Sequence, residues 1–457
     1  MKKKVMILML KMHLKNNFMN AIKYNLVIIL FLLVFKGFSQ EILTKKEALK
    51  ITLENNFGIK IANNNIEVAK NNASVLNTGF LPTIAATSGT NYRKENQDVT
   101  FQDGTNRSID GAVTKSYNAA LSLNYTIFDG LGRKYNYEQL KETYNLSEIQ
   151  AKETIENTYV QLFTIYFQIA RLSENTDNLS EALLISKRRL ERANYQYNYG
   201  QSTKLELLNA EVDVNNDSIS YITAKQQLNN AKRGLNIILG IDKEPNYAVE
   251  TEVDFNKMMN FDDLLQKTMA NNALLKQNEQ NIAISEFNIK INKSQYLPRL
   301  GFTSSYGWNQ SDNPATSFLA GATITGLNAG LNLTWNLFDG GATKTRVANA
   351  KIALDNQQIL LEQQKTTIQN NLKNTWENYQ NQLFILSAQE KNVLTAQNNF
   401  NRTEERYKLG QVTSIEFRQA QINLINSKTV FNNAKFDAKL IEIQLLQLSG
   451  DILNVVF

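Results

Sequence analysis

The sequence predicts a mainly α-helical protein with a small membrane β component: long helical hairpins joined to four amphipathic strands. Three observations carry this. The chain repeats itself at a spacing of about 210 residues: LSLNYTIFDGLGRKY from Leu121 is answered by LNLTWNLFDGGATKT from Leu331, YNYGQSTKLELLNAE from Tyr197 by YKLGQVTSIEFRQAQ from Tyr407, and Leu239-Gly240 by Ser449-Gly450. Two stretches alternate apolar and polar residues, at 117–127 and 327–337. Two others, 133–199 and 342–409, hold neither Gly nor Pro. A repeat this long, in which neither half reads as a complete globular unit, points to a symmetric assembly.

The N-terminus reads as a secretory leader. Lys2, Lys3, Lys4, Lys11, Lys15 and Lys23 form a basic region, 26–35 (LVIILFLLVF) an apolar core, and Gly37-Phe38-Ser39 a small-x-small cleavage site. The apolar run is shorter than the ~20 residues a spanning helix needs. Taking the leader's seven lysines, Lys36 included, from the formal charge of +6 leaves −1, so the basic balance belongs to the leader and a nucleic-acid role loses its support. The single His, His13, leaves with it, and the chain has no Cys. Cys/His metal sites, Ser-His-Asp triads and thiol nucleophiles are thereby excluded from the mature chain. No cofactor or metal is expected, and no acids pair at a spacing that suggests an enzyme.

The first repeat is expected over 40–240, with a strand pair at 83–128 and a helical hairpin at 130–240; a linker follows at 241–257. The second covers 258–450, with a strand pair at 299–338, a hairpin at 340–450 and a tail at 451–457. Pro82 and Pro298 sit at matching places, each ending a helix and opening a strand, because the residue before Pro is pushed out of the α region. The strands at 117–127 and 327–337 put Tyr117, Leu121, Leu123 and Tyr125, or Leu327, Leu331, Leu333 and Trp335, on one face. That is the length and pattern of a tilted transmembrane strand. Weaker partner strands fall at 83–93 and 300–310, with loops near 96–111 and 311–325. Phe128-Asp129-Gly130 and Phe338-Asp339-Gly340 close the strands, Asp as a helix cap and Gly for the change of direction. Tyr125, Phe128, Trp335 and Phe338 suit the rim of an apolar band.

The helical stretches cover about 67 residues each, roughly 100 Å if continuous. Their apolar residues recur at three- and four-residue steps amid much Asn and Gln, which predicts a thin, wet assembly rather than a thick core. Four strands cannot close in lipid, where a free edge has no water to satisfy it. Copies must pool their strands: eight in a dimer, twelve in a trimer, sixteen in a tetramer.

The doubled Leu-Pro, the two Phe-Asp-Gly turns and the tip pattern Tyr-x-x-Gly-x-x-Thr (Tyr197, Gly200, Thr203; Tyr407, Gly410, Thr413) resemble the TolC family of outer-membrane efflux proteins over about 42–450. The resemblance implies a homotrimer in the outer membrane of a Gram-negative bacterium, with a twelve-stranded outer-membrane β-barrel, four strands per protomer, continuous with a periplasmic α-barrel. It implies a passive exit duct for small molecules, docking at the tips onto a periplasmic adaptor (membrane fusion) protein and an inner-membrane pump of RND or ABC type. In the family, acids just past the tip turn face the lumen; here these are Glu206 and Glu416, a ring able to attract cations and to raise its members' pKa values. The family's second acids fall on Asn209 and Gln419, so a doubled ring is not expected. Two alternatives stand beside this: the outer-membrane component of type I protein secretion, and a non-pore coiled-coil protein of the cell surface, against which the strand alternation argues.

Overall fold

A computed structural model describes residues 41–256 and 259–455; the expected leader lies outside them. The chain opens with β1 (Glu41–Leu43), α1 (Lys45–Asn55) and α2 (Phe57–Asn72), then β2 (Thr83–Thr100), β3 (Asn106–Phe128), α3 (Gly132–Asn198) and α4 (Lys204–Leu239). After β4 (Tyr247–Val249) the plan recurs with α5 (Phe261–Asn271), α6 (Ala273–Ser294), β5 (Arg299–Asp312), β6 (Gly321–Thr334), α7 (Ala342–Lys408) and α8 (Ser414–Leu448). α3 and α7 are each one unbroken helix of 67 residues. Among the described residues no helix is long and apolar enough to cross a membrane.

The four long strands form one antiparallel sheet in the order β2-β3-β5-β6, so the two repeats meet at β3 and β5. Directly paired residues share a face. The rows Ala86–Leu121–Tyr306–Leu327 and Tyr125–Phe302–Leu331 are apolar. The opposite face carries Ala85–Ser122–Ser305–Asn328, Asn124–Thr303–Gly330 and Thr126–Gly301–Asn332. Three expectations about the strands need correction. The hairpins are longer than their alternation suggests: the first loop shrinks to 101–105, and an irregularity absorbs Asn96 on one strand and Asp110 and Gly111 on the other, where Asn96 Oδ1 accepts the Gly111 amide at 2.8 Å. At the other end, β6 stops at Thr334 and leaves Trp335 to Phe338 off the sheet. Its partner strand begins at Arg299, and Pro298 before it has no N–H to continue the ladder. A bulge at Ile127 also brings Phe128, instead of Ile127, into register with Leu300 on the apolar face.

The core is thicker than the Asn/Gln-rich helices predict, but only near mid-height. There Tyr159, Phe163, Tyr166 and Phe167 of α3 pack with Leu235 and Leu239 of α4 and with Phe436 and Ile443 of α8. The Tyr166 hydroxyl donates to Leu43 O at 2.7 Å and accepts the Glu250 amide at 3.0 Å, tying the β1–β4 pair to α3. Each hairpin base is locked the same way in both repeats. Asn56 caps α2 and donates to Ile238 O at 2.8 Å; Asn272 caps α6 and donates to Leu448 O at 3.0 Å. Away from mid-height, apolar side chains of α7 such as Ile352, Ile359, Phe384 and Leu394 stay exposed on the single chain.

Candidate functional site

The tips of the two helical hairpins are built alike from the repeated pattern. In the first, Gly200 takes φ +71° and donates to Tyr197 O at 3.0 Å, while Gln201 donates to Gln196 O at 2.7 Å. In the second, Gly410 takes φ +74° and donates to Tyr407 O at 3.0 Å, while Gln411 donates to Arg406 O at 2.8 Å. These paired bonds satisfy the last carbonyls of α3 and α7 and need a residue at ease in the left-handed region. Thr203 and Thr413 then start the return helices. The Thr413 hydroxyl accepts the Glu416 amide at 3.2 Å, and the Glu416 carboxylate accepts the Thr413 amide at 2.7 Å, a reciprocal cap. Thr203 accepts the Glu206 amide, but the Glu206 carboxylate turns instead to the Ser202 hydroxyl. Tyr-x-x-Gly-x-x-Thr is thus the signature of one helix end followed by one helix start.

A groove of about 530 Å³ runs between the first turns of α4 and α8 and brings Glu206, Asn209, Thr203, Thr413 and Gln419 together, with the apolar side chains of Leu205, Val212 and Ile415. Glu416 does not line it. Within one chain the Thr413 bonds hold the Glu416 carboxyl below its ordinary range, the reverse of what crowding in a ring predicts. Behind the turn, Tyr407 stacks on Phe417 with centroids 4.7 Å apart and planes within 4°.

One turn deeper lies a cluster that sequence reasoning missed. Arg418 of α8 grips both oxygens of Asp217 of α4 at 2.7 Å and reaches Asp213 at 3.5 Å. Asp213 also pairs with Arg189 of α3, the Asp217 carboxylate accepts the Ser186 hydroxyl, and Gln421 donates to Ala182 O at 2.9 Å. Three helices of both repeats are bound here through buried polar groups. The only sequence signal was four charged residues on helix faces otherwise rich in Asn and Gln. Arg418 also marks where the repeats diverge, since Leu208 stands at its place in the first.

At the opposite end of the helices, Asp129 and Asp339 accept the amides of Arg133 and Thr343 at 2.9 and 2.8 Å. The carboxylates cap as expected but from outside the cap position, which falls to Leu131 and Gly341. The Thr343 bonds hold the Asp339 carboxyl below its ordinary value. Pro82 and Pro298 lead directly into β2 and β5. Phe128 ends β3 in register, whereas Phe338 lies beyond β6 and is exposed. A Cβ on Gly130 would collide with Ser294 O, while around Gly340 nothing lies within 4 Å. Among the described residues no group of three or more Asp, Glu, His or Cys could hold a metal.

The family model described as outer membrane efflux protein matches residues 48–241 and 264–451. The outer membrane protein TolC of Escherichia coli is 21% identical over 368 residues, covering 78% of this chain and 73% of that protein. TolC of Vibrio cholerae is 20% identical over 308 residues, covering 67% and 70%. Among solved structures, the Campylobacter jejuni CmeC outer membrane channel superposes with a TM-score of 0.74 at 16% identity, covering 89% of this chain and 85% of that one. A CusC structure gives 0.70 at 16% identity, covering 89% and 91%.

Proposed function

Since this chain belongs to the outer membrane efflux protein family and is an outer-membrane channel of an efflux system, we propose that three copies close their sheets into one twelve-stranded barrel, and that a periplasmic adaptor and an inner-membrane pump engage the far ends of the helices. The observation that carries this is the sheet itself: one apolar face, one polar face, and unpaired edges at β2 and β6. Lipid tolerates neither edge, and pairing β6 of one copy with β2 of the next removes both.

The junction glycines support the same reading. Gly130 is filled by Ser294 and Leu297 at the end of α6; by the repeat that matches Pro82 to Pro298, their counterparts are Thr78 and Leu81. A neighbour's Thr78 and Leu81 would fill the open space at Gly340 as Ser294 and Leu297 fill it at Gly130. The polar face then turns inward onto a wet passage, and the apolar rows meet lipid.

The mechanism is gating. The Arg418–Asp217–Asp213–Arg189 cluster holds the tips of the two hairpins together, and the neighbouring groove, with Glu206 on one wall and exposed Leu205, Val212 and Ile415, offers an apolar seat to an adaptor helix. Docking there favours the dilated state in proportion to its better fit to that state. The chain supplies no energy of its own, which falls to the pump. Reconstitution into a planar bilayer, with native mass spectrometry of the same preparation, tests the reading. Trimers with discrete conductance steps are expected; a folded monomer that never conducts rejects it.

A further inference from the structure

Beside the ionic cluster, between the end of α3 and the α7–α8 turn, lies a cavity of about 200 Å³ whose walls include Arg188, Arg189, Arg192, Tyr407, Lys408 and Phe417. Four cationic side chains face one acid, Glu404, which is already paired with Lys408 at 3.4 Å. Lys408 also holds Glu405 at 3.0 Å, and Arg192 lies over the Tyr407 ring at 4.9 Å while donating to Lys408 O at 3.1 Å. Lys408 and Arg192 are therefore spoken for. Arg188 has no ion-pair partner among the described residues. Arg189 is 3% exposed, and although it pairs with Asp213, its Nε and Nη1 are buried without an acceptor.

Buried guanidinium N–H groups lacking acceptors are costly, and an arriving anion that satisfies them recovers that cost. Tyr407 and Phe417, stacked on each other, line the same cavity, and aromatic rings favour offset or edge-to-face contact with a further ring. The volume lies well below the ~300–1,000 Å³ of sites that enclose drug-sized ligands, so the occupant is one substituted ring and no more. We propose that this cavity is a binding site for a small aromatic carboxylate, its ring against Tyr407 and Phe417 and its carboxylate toward Arg188 and Arg189. The site lies inside one chain and stands whether or not the oligomer forms as described above. An occupant carrying its own negative charge would also share Arg189 with Asp213 and so touch the cluster that joins the hairpins.

Benzoate titrated calorimetrically into the purified full-length protein in detergent at low salt tests this, with benzamide as the uncharged control. Saturable benzoate binding is expected, with benzamide about tenfold weaker or more because it offers no charge to the guanidinium groups, and the benzoate affinity should fall as salt is added. Arg188→Gln, an exposed and unpaired position, should weaken benzoate severalfold, and Arg189→Gln about tenfold. If Arg189→Gln changes the far-ultraviolet circular dichroism, Arg188→Gln alone decides. Absence of saturable binding, equal affinity for benzamide, or benzoate binding unmoved by Arg188→Gln overturns the proposal.

Discussion

The Arg418 guanidinium meets the Asp217 carboxylate through two parallel 2.7 Å bonds, one to each oxygen, and by doing so joins helices that lie 201 residues apart in the chain. Both groups are largely withdrawn from water, so removing one leaves the other buried and uncompensated. Arg418→Gln should therefore loosen the tip by about 3 kcal/mol. Amide hydrogen exchange in the first turns of α4 and α8 should accelerate roughly 100-fold, while the Tyr166 core stays protected. Asp217→Asn with Arg418→Gln should recover much of the loss, because neither charge is then stranded. Tip exchange unchanged in the single variant would show that the pair does not hold the hairpins together.

Leu131 is the only described non-glycine residue with positive φ, at 68°, and the second repeat has Gly341 in the same place at 87°. A left-handed leucine costs about 1–2 kcal/mol. Its side chain is 43% exposed and contributes little packing to offset that. Leu131→Gly should raise the urea midpoint by the equivalent of about 1 kcal/mol, after allowing for the extra freedom glycine gives the unfolded chain. A lower midpoint would mean that the leucine makes a contact worth more than its strain.

The glycines separate into two classes that substitution should reveal. Gly200 and Gly410 have open space where a Cβ would go, so alanine there suffers only the backbone penalty of about 1–2 kcal/mol. At Gly130 and Gly240 a Cβ would also strike the backbone oxygens of Ser294 and Asn55. Gly130→Ala and Gly240→Ala should fail to give folded protein under conditions where Gly200→Ala and Gly410→Ala fold normally. Equal damage at all four would show that conformation alone matters.

Glu156 is buried in α3 and its one ion pair among the described residues is with Lys152 at 3.5 Å; burial pushes its carboxyl above the ordinary value of 4.5, helped by Glu153 and only partly opposed by Lys152 and Lys276. As pH rises past that value the unfolded chain ionises first, so the folded state loses stability until the folded carboxyl ionises too, and the penalty then persists at neutrality. Glu156→Gln should be more stable than the parent at pH 7 and lose that advantage as pH falls toward 4. Urea midpoints across that range check it; a constant difference at every pH would assign the effect to shape rather than charge.

What the sequence made legible follows from how local each signal is. The lengths of α3 and α7 show because Gly and Pro act on their own turn of helix, and the tip shows because a helix end and a helix start each need particular residues within ten positions. Phe128 was placed at the end of its strand, but the bulge at Ile127 that turns it onto the apolar face was not visible, since a bulge depends on the partner strand. The end of β6 at Thr334 was invisible for the same reason: it is set by Pro298, 36 residues earlier. The ionic cluster escaped because Asp217 and Arg418 are ordinary surface residues until tertiary packing buries them together. Asn56 and Asn272 escaped because the repeat there is offset by six residues from the repeat at the tips.

The acids of the tip remain the sharpest test of the channel reading. Glu206 lines the groove between α4 and α8, whereas the Glu416 carboxylate is committed to the cap of its own helix. If both face the lumen of a trimer, six carboxylates attract cations at the narrowest point. Glu206→Gln with Glu416→Gln should then shift the reversal potential under a salt gradient toward that of an unselective pore, and an unmoved potential would reject the ring. The single variants are informative in a second way. Glu416→Gln breaks the reciprocal cap and should cost about 1 kcal/mol of local helix stability, so it changes tip exchange as well as selectivity. Glu206→Gln spares the Thr203 cap and should act on selectivity alone. A Glu206→Gln channel with loosened tips and unaltered selectivity would assign this carboxylate to structure and leave the entrance uncharged.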